Sequence, residues 1–254
     1  MGKIVGICRI RNEEGVIENT LKHLSDKIDE VYVFDDFSTD DTIKICNSFK
    51  FVKKIIRSSS WATHPQQRLY LEGKHRQVIY EACLESNPDW VYYFDADEYV
   101  DFDMIDFSNK DIHGYAMRFF DYYITPTDKN QHYLKRKFIG PEYRDILTLF
   151  QPNKNIKFVH RPPMGVPNFA RLGYVKHYGK AISVKQWEET CEYYINHLYE
   201  VQPGNITISD KWKARKGKAI HIESDFKNDF IKWEDRNNKD KIIDNSLGQA
   251  ELNI

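Results

Sequence analysis

The chain is poor in cysteine, poor in glycine and almost without net charge. Its four cysteines, Cys8, Cys46, Cys83 and Cys191, lie far apart and show no CxxC spacing. That argues against a disulfide framework or a thiolate metal site, since thiols inside apolar runs behave as small hydrophobes. Lys and Arg number 37 against 38 Asp and Glu, for a formal charge of −1. A chain so balanced lacks the basic excess of a nucleic-acid binder. No apolar run approaches the roughly 20 residues of a transmembrane helix. The opening MGKIVGICRIRNEE meets charge too early for a secretory signal, and Gly2 lacks the downstream Ser or Thr of a myristoylation site. A reducing cytoplasm is the expected location.

What is present suits a packed domain. Hydrophobic residues make up 41% of the 254 positions and charged residues 30%, so a sizeable core is expected and disorder is not. Aromatics reach 14%, enough for ring packing and for sugar or base contacts.

The first hundred residues alternate in period. Residues 3–8, 30–35, 51–56 and 90–94 read as strands. Between them, 12–24, 38–49 and 73–87 read as helices, with Asn12 placed to cap the first and Ser38 with Asp41 the second. This order predicts an α/β fold with a mostly parallel central sheet flanked by helices. In such sheets ligands lie outside the carboxyl ends of the strands. Later, 114–120, 146–151 and 156–160 look like strands, and 183–201 like a helix capped by Ser183 with Gln186. The final stretch, 237–254, reads as poorly ordered.

Three polar clusters follow strands. The first is WVYYFDADEYV, residues 90–100, where an apolar strand runs into Asp95, Asp97 and Glu98. Crowded carboxylates at a buried strand end need a positive partner. Hard cations such as Mn²⁺ or Mg²⁺ take one or two carboxylates and fill the remaining positions with water and phosphate. Residues two apart on a strand are roughly 6 to 7 Å apart, so Asp97 is expected to ligate and Asp95 to act through ribose or water. A plain exposed acidic loop is the competing reading. In VFDDFSTDDT, Asp35 and Asp36 sit at the strand end and suit a base or ribose, whereas Asp40, Asp41 and Thr42 suit helix capping. The third, RIRNEE, offers Arg9 and Arg11 to phosphate or base, with solvated surface charge an equal reading. Lys74–Gln77 opens a helix with an arginine suited to an anion.

RNEE after strand one, DDFSTDDT after strand two, an arginine in the third helix and DADE after strand four together resemble the family 2 glycosyltransferases of the GT-A fold. The resemblance covers roughly the first hundred residues in the right order. It implies a GT-A-like domain over 1–180, with a nucleotide-sugar half at 1–100 and an acceptor half at 101–180, and a helical C-terminal extension at 181–254. The donor implied is a UDP-, GDP- or dTDP-linked sugar, with a divalent cation held by Asp97. Asp35 and Asp36 would read the base, Asn12 and Glu13 line the nucleoside pocket, and Arg76 contact the donor. Ala96, between the two acids, would lie against the nucleotide sugar. His177 would be a further metal or diphosphate ligand, a packed or surface histidine being the other reading. Inversion is implied, so a carboxylate should deprotonate the acceptor hydroxyl. Asp121 and Asp145 come first, with Glu142 and His160 behind them.

The likeness has gaps. The segment 143–165 resembles the family's RLF…VHE region, but Arg161 stands where the Glu would be. QxxRW and membrane spans of the processive synthases are missing, so a single-addition hexosyl- or deoxyhexosyltransferase fits better. The acceptor is a glycan, a lipid-linked molecule or a protein. A non-catalytic nucleotide-sugar-binding module is the rival from another class. A sugar-phosphate nucleotidyltransferase would need a Gly-rich loop that CRIRNEEG lacks. The basic stretch 211–222 is too short for a nucleic-acid face, though it could graze an anionic membrane.

Overall fold

The structure is a computed structural model and describes residues 2–197, 208–221, 230–237 and 243–244. The apolar runs form β1 (Ile4–Ile10), β2 (Glu30–Asp35), β3 (Val52–Arg57) and β4 (Trp90–Phe94). All three pairings among them are parallel, in the order β3-β2-β1-β4. Strands so placed are covered on both faces, which is why they read as continuous hydrophobic runs. β5 (Glu98–Asp101), β6 (Gly114–Tyr122), β7 (Phe138–Phe150) and β8 (Phe169–His177) follow. β7 joins β4 antiparallel, with Val91 opposite Phe150, and makes the sheet mixed. Helices flank this central sheet, as expected for an α/β fold.

Two compact units divide the chain. The first comprises 1–62, 68–118 and 145–175; the second comprises 63–67, 119–144 and 176–254. In the first, α1 (Ile17–Leu24), α2 (Thr42–Asn47) and most of α3 (Pro65–Cys83) accompany the parallel strands. Its core joins Val5, Ile7, Phe34, Ile79, Tyr93, Phe150 and Phe158. In the second, α4 (Val184–His197) packs on α5 (Ile208–Arg215) through Trp187, Cys191 and Trp212. There the segment after 181 is not helical throughout. β9 (Ile231–Lys232) and β10 (Ile243–Asp244) add two short strands to β7. Within the described residues no helix is long and apolar enough to cross a membrane.

Several local expectations change. Asn12 does not cap α1: it takes φ +54°, and its Oδ1 accepts from Thr39 N at 2.8 Å. Ser38 likewise turns from its helix, its Oγ accepting from Asn12 N at 2.9 Å. The N-cap residues Val16 and Asp41 make no side-chain cap bond, and Asn12 and Ser38 tie the β1–α1 and β2–α2 loops to each other; as expected, Asp40 Oδ1 accepts from Thr42 N at the start of α2, at 3.1 Å. The strand expected at 156–160 is reduced to one bridge, Lys157 with Met164, closing a tight hairpin. Ser183 does cap α4, accepting from Gln186 N at 3.0 Å. Most of the tail expected to be poorly ordered lies outside the described residues.

Candidate functional site

The carboxyl ends of β1, β2 and β4 gather one set of side chains in the first unit. Asp36 leaves β2 buried, its carboxylate facing cations. Arg9, at the end of β1, places Nη2 2.6 Å from Oδ2, and Arg68 of α3 places Nη1 3.6 Å from the same oxygen. His75, two turns along α3, stacks on Phe34 with ring centroids 4.0 Å apart. Burial pulls the His75 pKa down to about 4, with Arg9 and Arg68 acting in the same direction and Asp36 opposing. Arg11 and Arg68 flank Trp61, at 4.0 and 4.8 Å from its ring centre. Asp35 is directed inward instead. It accepts from Ser38 N at 3.0 Å and from Arg57 Nε at 2.8 Å, and so braces the loop.

The loop between β1 and α1 is stitched to the one between β2 and α2. Glu13 N donates to Thr42 Oγ1 at 2.7 Å, and Asp41 N donates to Glu14 Oε2 at 3.0 Å. The half-buried Glu13 carboxyl has its pKa raised well above the ordinary value, first by burial and then by Asp97 and Asp95. The half-buried Asp97 therefore lies close enough for mutual repulsion.

The residues after β4 form a chain of hydrogen bonds. Buried Arg76 donates from Nε to Tyr93 Oη at 2.8 Å, and that hydroxyl donates to Asp95 Oδ1 at 2.7 Å. Asp95 N donates to Glu98 Oε2 at 3.0 Å. Arg161 bonds Glu98 Oε1 and reaches Asp95 Oδ2 at 3.2 Å. Burial would lower the Arg161 pKa, but Asp95 and Glu98 hold it well above the usual value. Ala96 is buried, its carbonyl accepting from Thr20 Oγ1. Asp145 of β7 is held in a fork by Arg118 of β6, at 2.9 and 3.1 Å.

The second unit has a different set. Asp121 of β6 receives Arg144 Nη1 at 2.8 and 2.9 Å and Lys180 Nζ at 2.6 Å, and lies 2.5 Å from His177 Nδ1. Burial alone would raise the Asp121 pKa. Arg144, Lys180 and His177 outweigh it and hold the carboxylate well below its usual range.

Sequence reading missed Arg68, His75, Tyr93, Arg144 and Lys180, and met Arg161 only as a departure from the resemblance. For the first two a signal existed: Arg68, Glu72, His75 and Arg76 fall at helical spacing, a polar stripe on a helix that begins at Pro65, eight residues before the expected start. No local pattern marks Arg161.

No family model matches the chain. Two uncharacterized proteins, Mb3815c of Mycobacterium bovis and Rv3786c of Mycobacterium tuberculosis, are 31% identical over 102 residues. That stretch covers 40% of this chain and 25% of each relative's length. Among solved structures, S. aureus TarS 1–349 is similar at 16% identity and TM-score 0.38, covering 78% of this chain and 67% of that one. Glucosyl-3-phosphoglycerate synthase of Mycobacterium tuberculosis, in complex with Mn²⁺, UDP and phosphoglyceric acid, stands at 17% and 0.31, covering 46% and 43%. Mannosyl-3-phosphoglycerate synthase of Rubrobacter xylanophilus stands at 15% and 0.28, covering 51% and 42%. These are partial likenesses at low identity and low TM-score, and they describe similarity and not membership.

Proposed function

We propose that the chain is a family 2, GT-A glycosyltransferase that is metal-dependent. It would move a hexose or deoxyhexose from a nucleoside-diphosphate sugar to an acceptor hydroxyl, with inversion. One observation carries this reading. Parallel strand ends bring together a ring-and-cation pocket around Asp36 and an acid turn of Asp95, Asp97 and buried Glu98. The pocket suits a base and ribose, and the turn suits a hard cation.

The donor set fits such an ion. Oδ1 of Asp95 is engaged by Tyr93 and Oδ2 by Arg161, which makes Asp97 the residue that would hold it. A bound divalent cation would neutralise charge on the diphosphate leaving group. The chain's own groups do the remaining work. Asp36, paired with Arg9 and Arg68, would accept from a base N–H, and Phe34 with His75 would line that pocket. Arg76 holds Asp95 through Tyr93. Asp121 fixes His177 by its Nδ1, so Nε2 is the nitrogen that would meet a cation or diphosphate. A carboxylate held that low is a weak base; Asp145, the other sequence candidate, would remove the acceptor proton once its fork with Arg118 opens. The acceptor would be a glycan, a lipid-linked molecule or a protein.

The test is calorimetric binding of UDP and GDP to wild type and Asp97→Ala, with and without Mn²⁺, followed by dTDP. Mn²⁺-dependent binding lost in Asp97→Ala supports the proposal. No binding of any nucleotide under any metal defeats it. Binding without release of nucleoside diphosphate from any donor would favour the non-catalytic module.

A further inference from the structure

The turn from β4 to β5 carries Asp95 and leads into Glu98, which is 0% exposed. A buried carboxylate with no cation beside it would take up a proton or unfold the turn. The cation comes from far along the sequence. Arg161 bonds Glu98 Oε1 and Asp95 Oδ2 together, 63 residues from the first of these partners.

Its delivery is fixed at several points. The hairpin that bears it is closed by reciprocal backbone bonds, Lys157 N to Met164 O at 3.1 Å and Met164 N to Lys157 O at 2.8 Å. Gly165 completes the hairpin at φ +88°, where a side chain would lie 2.2 Å from Asn155 O. Helix α3 forms the seat. Gln77 Oε1 accepts from Phe158 N at 2.9 Å, and Gly73 lets the backbone pass so closely that a Cβ would stand 2.3 Å from Val159 O. A hairpin held this tightly has one charged tip, directed at the acid turn.

We propose that Arg161 is a positioning residue, the built-in counter-cation of the 95–98 turn. It pins Asp95 and cancels one negative charge, so that the turn offers Asp97 to a divalent ion without over-binding it and without repelling an incoming diphosphate. This inference rests on the cation-and-nucleotide reading of the same turn. Its consequence is a pair of opposite shifts. Removing the guanidinium adds one net negative charge, which tightens a bare cation and weakens an anion.

The experiment titrates Mn²⁺ alone, then UDP or GDP at saturating Mn²⁺, on wild type, Arg161→Gln and Arg161→Lys. Arg161→Gln should bind Mn²⁺ alone roughly three- to tenfold more tightly and the nucleotide more weakly by a similar factor, the size of one charge several ångströms away in a partly wet site. Arg161→Lys, which keeps the charge, should stay within about twofold of wild type on both. Should Arg161→Gln not fold, Arg161→Gln with Glu98→Gln removes the pair together; with the net charge of the turn unchanged it should keep Mn²⁺ affinity within about twofold of wild type, and a tightening there would overturn the charge account. Unchanged affinities in Arg161→Gln overturn the proposal, as does a parallel loss of both ligands or a lysine variant that behaves like the glutamine one. A wild type that binds neither Mn²⁺ nor nucleotide overturns the underlying reading as well, whereas normal wild-type binding confines any failure to Arg161.

Discussion

Asp95 in the first unit and Asp121 in the second are both carboxylates held in place, yet their surroundings have opposite sign. Asp95 stands among acids, with Glu98 and Asp97 close in sequence and Glu13 near enough to feel it, and it shares one guanidinium with Glu98. Asp121 stands alone against Arg144, Lys180 and His177. The first arrangement has negative charge in excess and, under the proposal, a divalent cation would complete it. The second is already saturated, so its carboxylate acts as a strut.

That contrast can be broken most severely at the strut. Asp121→Asn leaves two fixed cations and a histidine facing one another with no carboxylate, and its side chain is only 7% exposed. Loss of about 3 to 5 kcal/mol is expected, read by urea denaturation. A loss below about 1 kcal/mol would mean the cations relax outward and the cluster is not structural.

The next test is of pH. His75, buried beside Asp36, Arg9 and Arg68, has its pKa lowered from 6.5 to about 4. The folded state therefore resists a proton that the unfolded chain accepts. Stability from this group is present in full above pH 6.5 and falls as the pH drops from 6.5 towards 4, by up to roughly 3 kcal/mol. His75→Gln should flatten that limb of a stability profile. A limb left intact would assign it to other groups.

Smaller effects are expected at the loops. Asn12 takes φ +54°, so Asn12→Ala should cost about 1 to 2 kcal/mol, and Asn12→Gly less, since glycine keeps the backbone and loses only the bond to Thr39. Equal costs would place the whole effect in the hydrogen bond. Smallest of all in stability is Asp97→Ala, within about 0.5 kcal/mol, although this change should abolish metal-dependent nucleotide binding. A residue that matters greatly for binding and little for folding is the mark of a ligand-holding side chain.

The first unit was largely legible in sequence because its strands are unbroken apolar runs ending in polar residues. IVGICRI, EVYVFD and WVYYF each announce a strand, and the polar residues that follow mark its carboxyl end. What failed there was capping. Asn12 and Ser38 have the chemistry of helix caps, but loop-to-loop bonds claimed them, and no local rule ranks the two uses. Arg161 was legible only as a departure from a resemblance, since its partners lie 63 and 66 positions away. In the second unit, β9 and β10 are two residues each, below any period a sequence can display. The three basic residues around Asp121 come from β7, the last position of β8 and the turn after it, scattered across 36 positions with no shared motif.

The four buried thiols have a practical consequence. Burial pushes the pKa of Cys46 and Cys83 up to about 12 and raises that of Cys8 and Cys191 as well, so none offers thiolate to an alkylating reagent in the native state. Alkylation must wait for local opening, and each modified cysteine then carries a time stamp for its own element. Cys8 lies on β1 and Cys83 at the end of α3, while Cys191 lies on α4. Mass spectrometry of a labelling time course would therefore date the opening of the parallel sheet and of the α4–α5 pair separately, using reporters the chain already has.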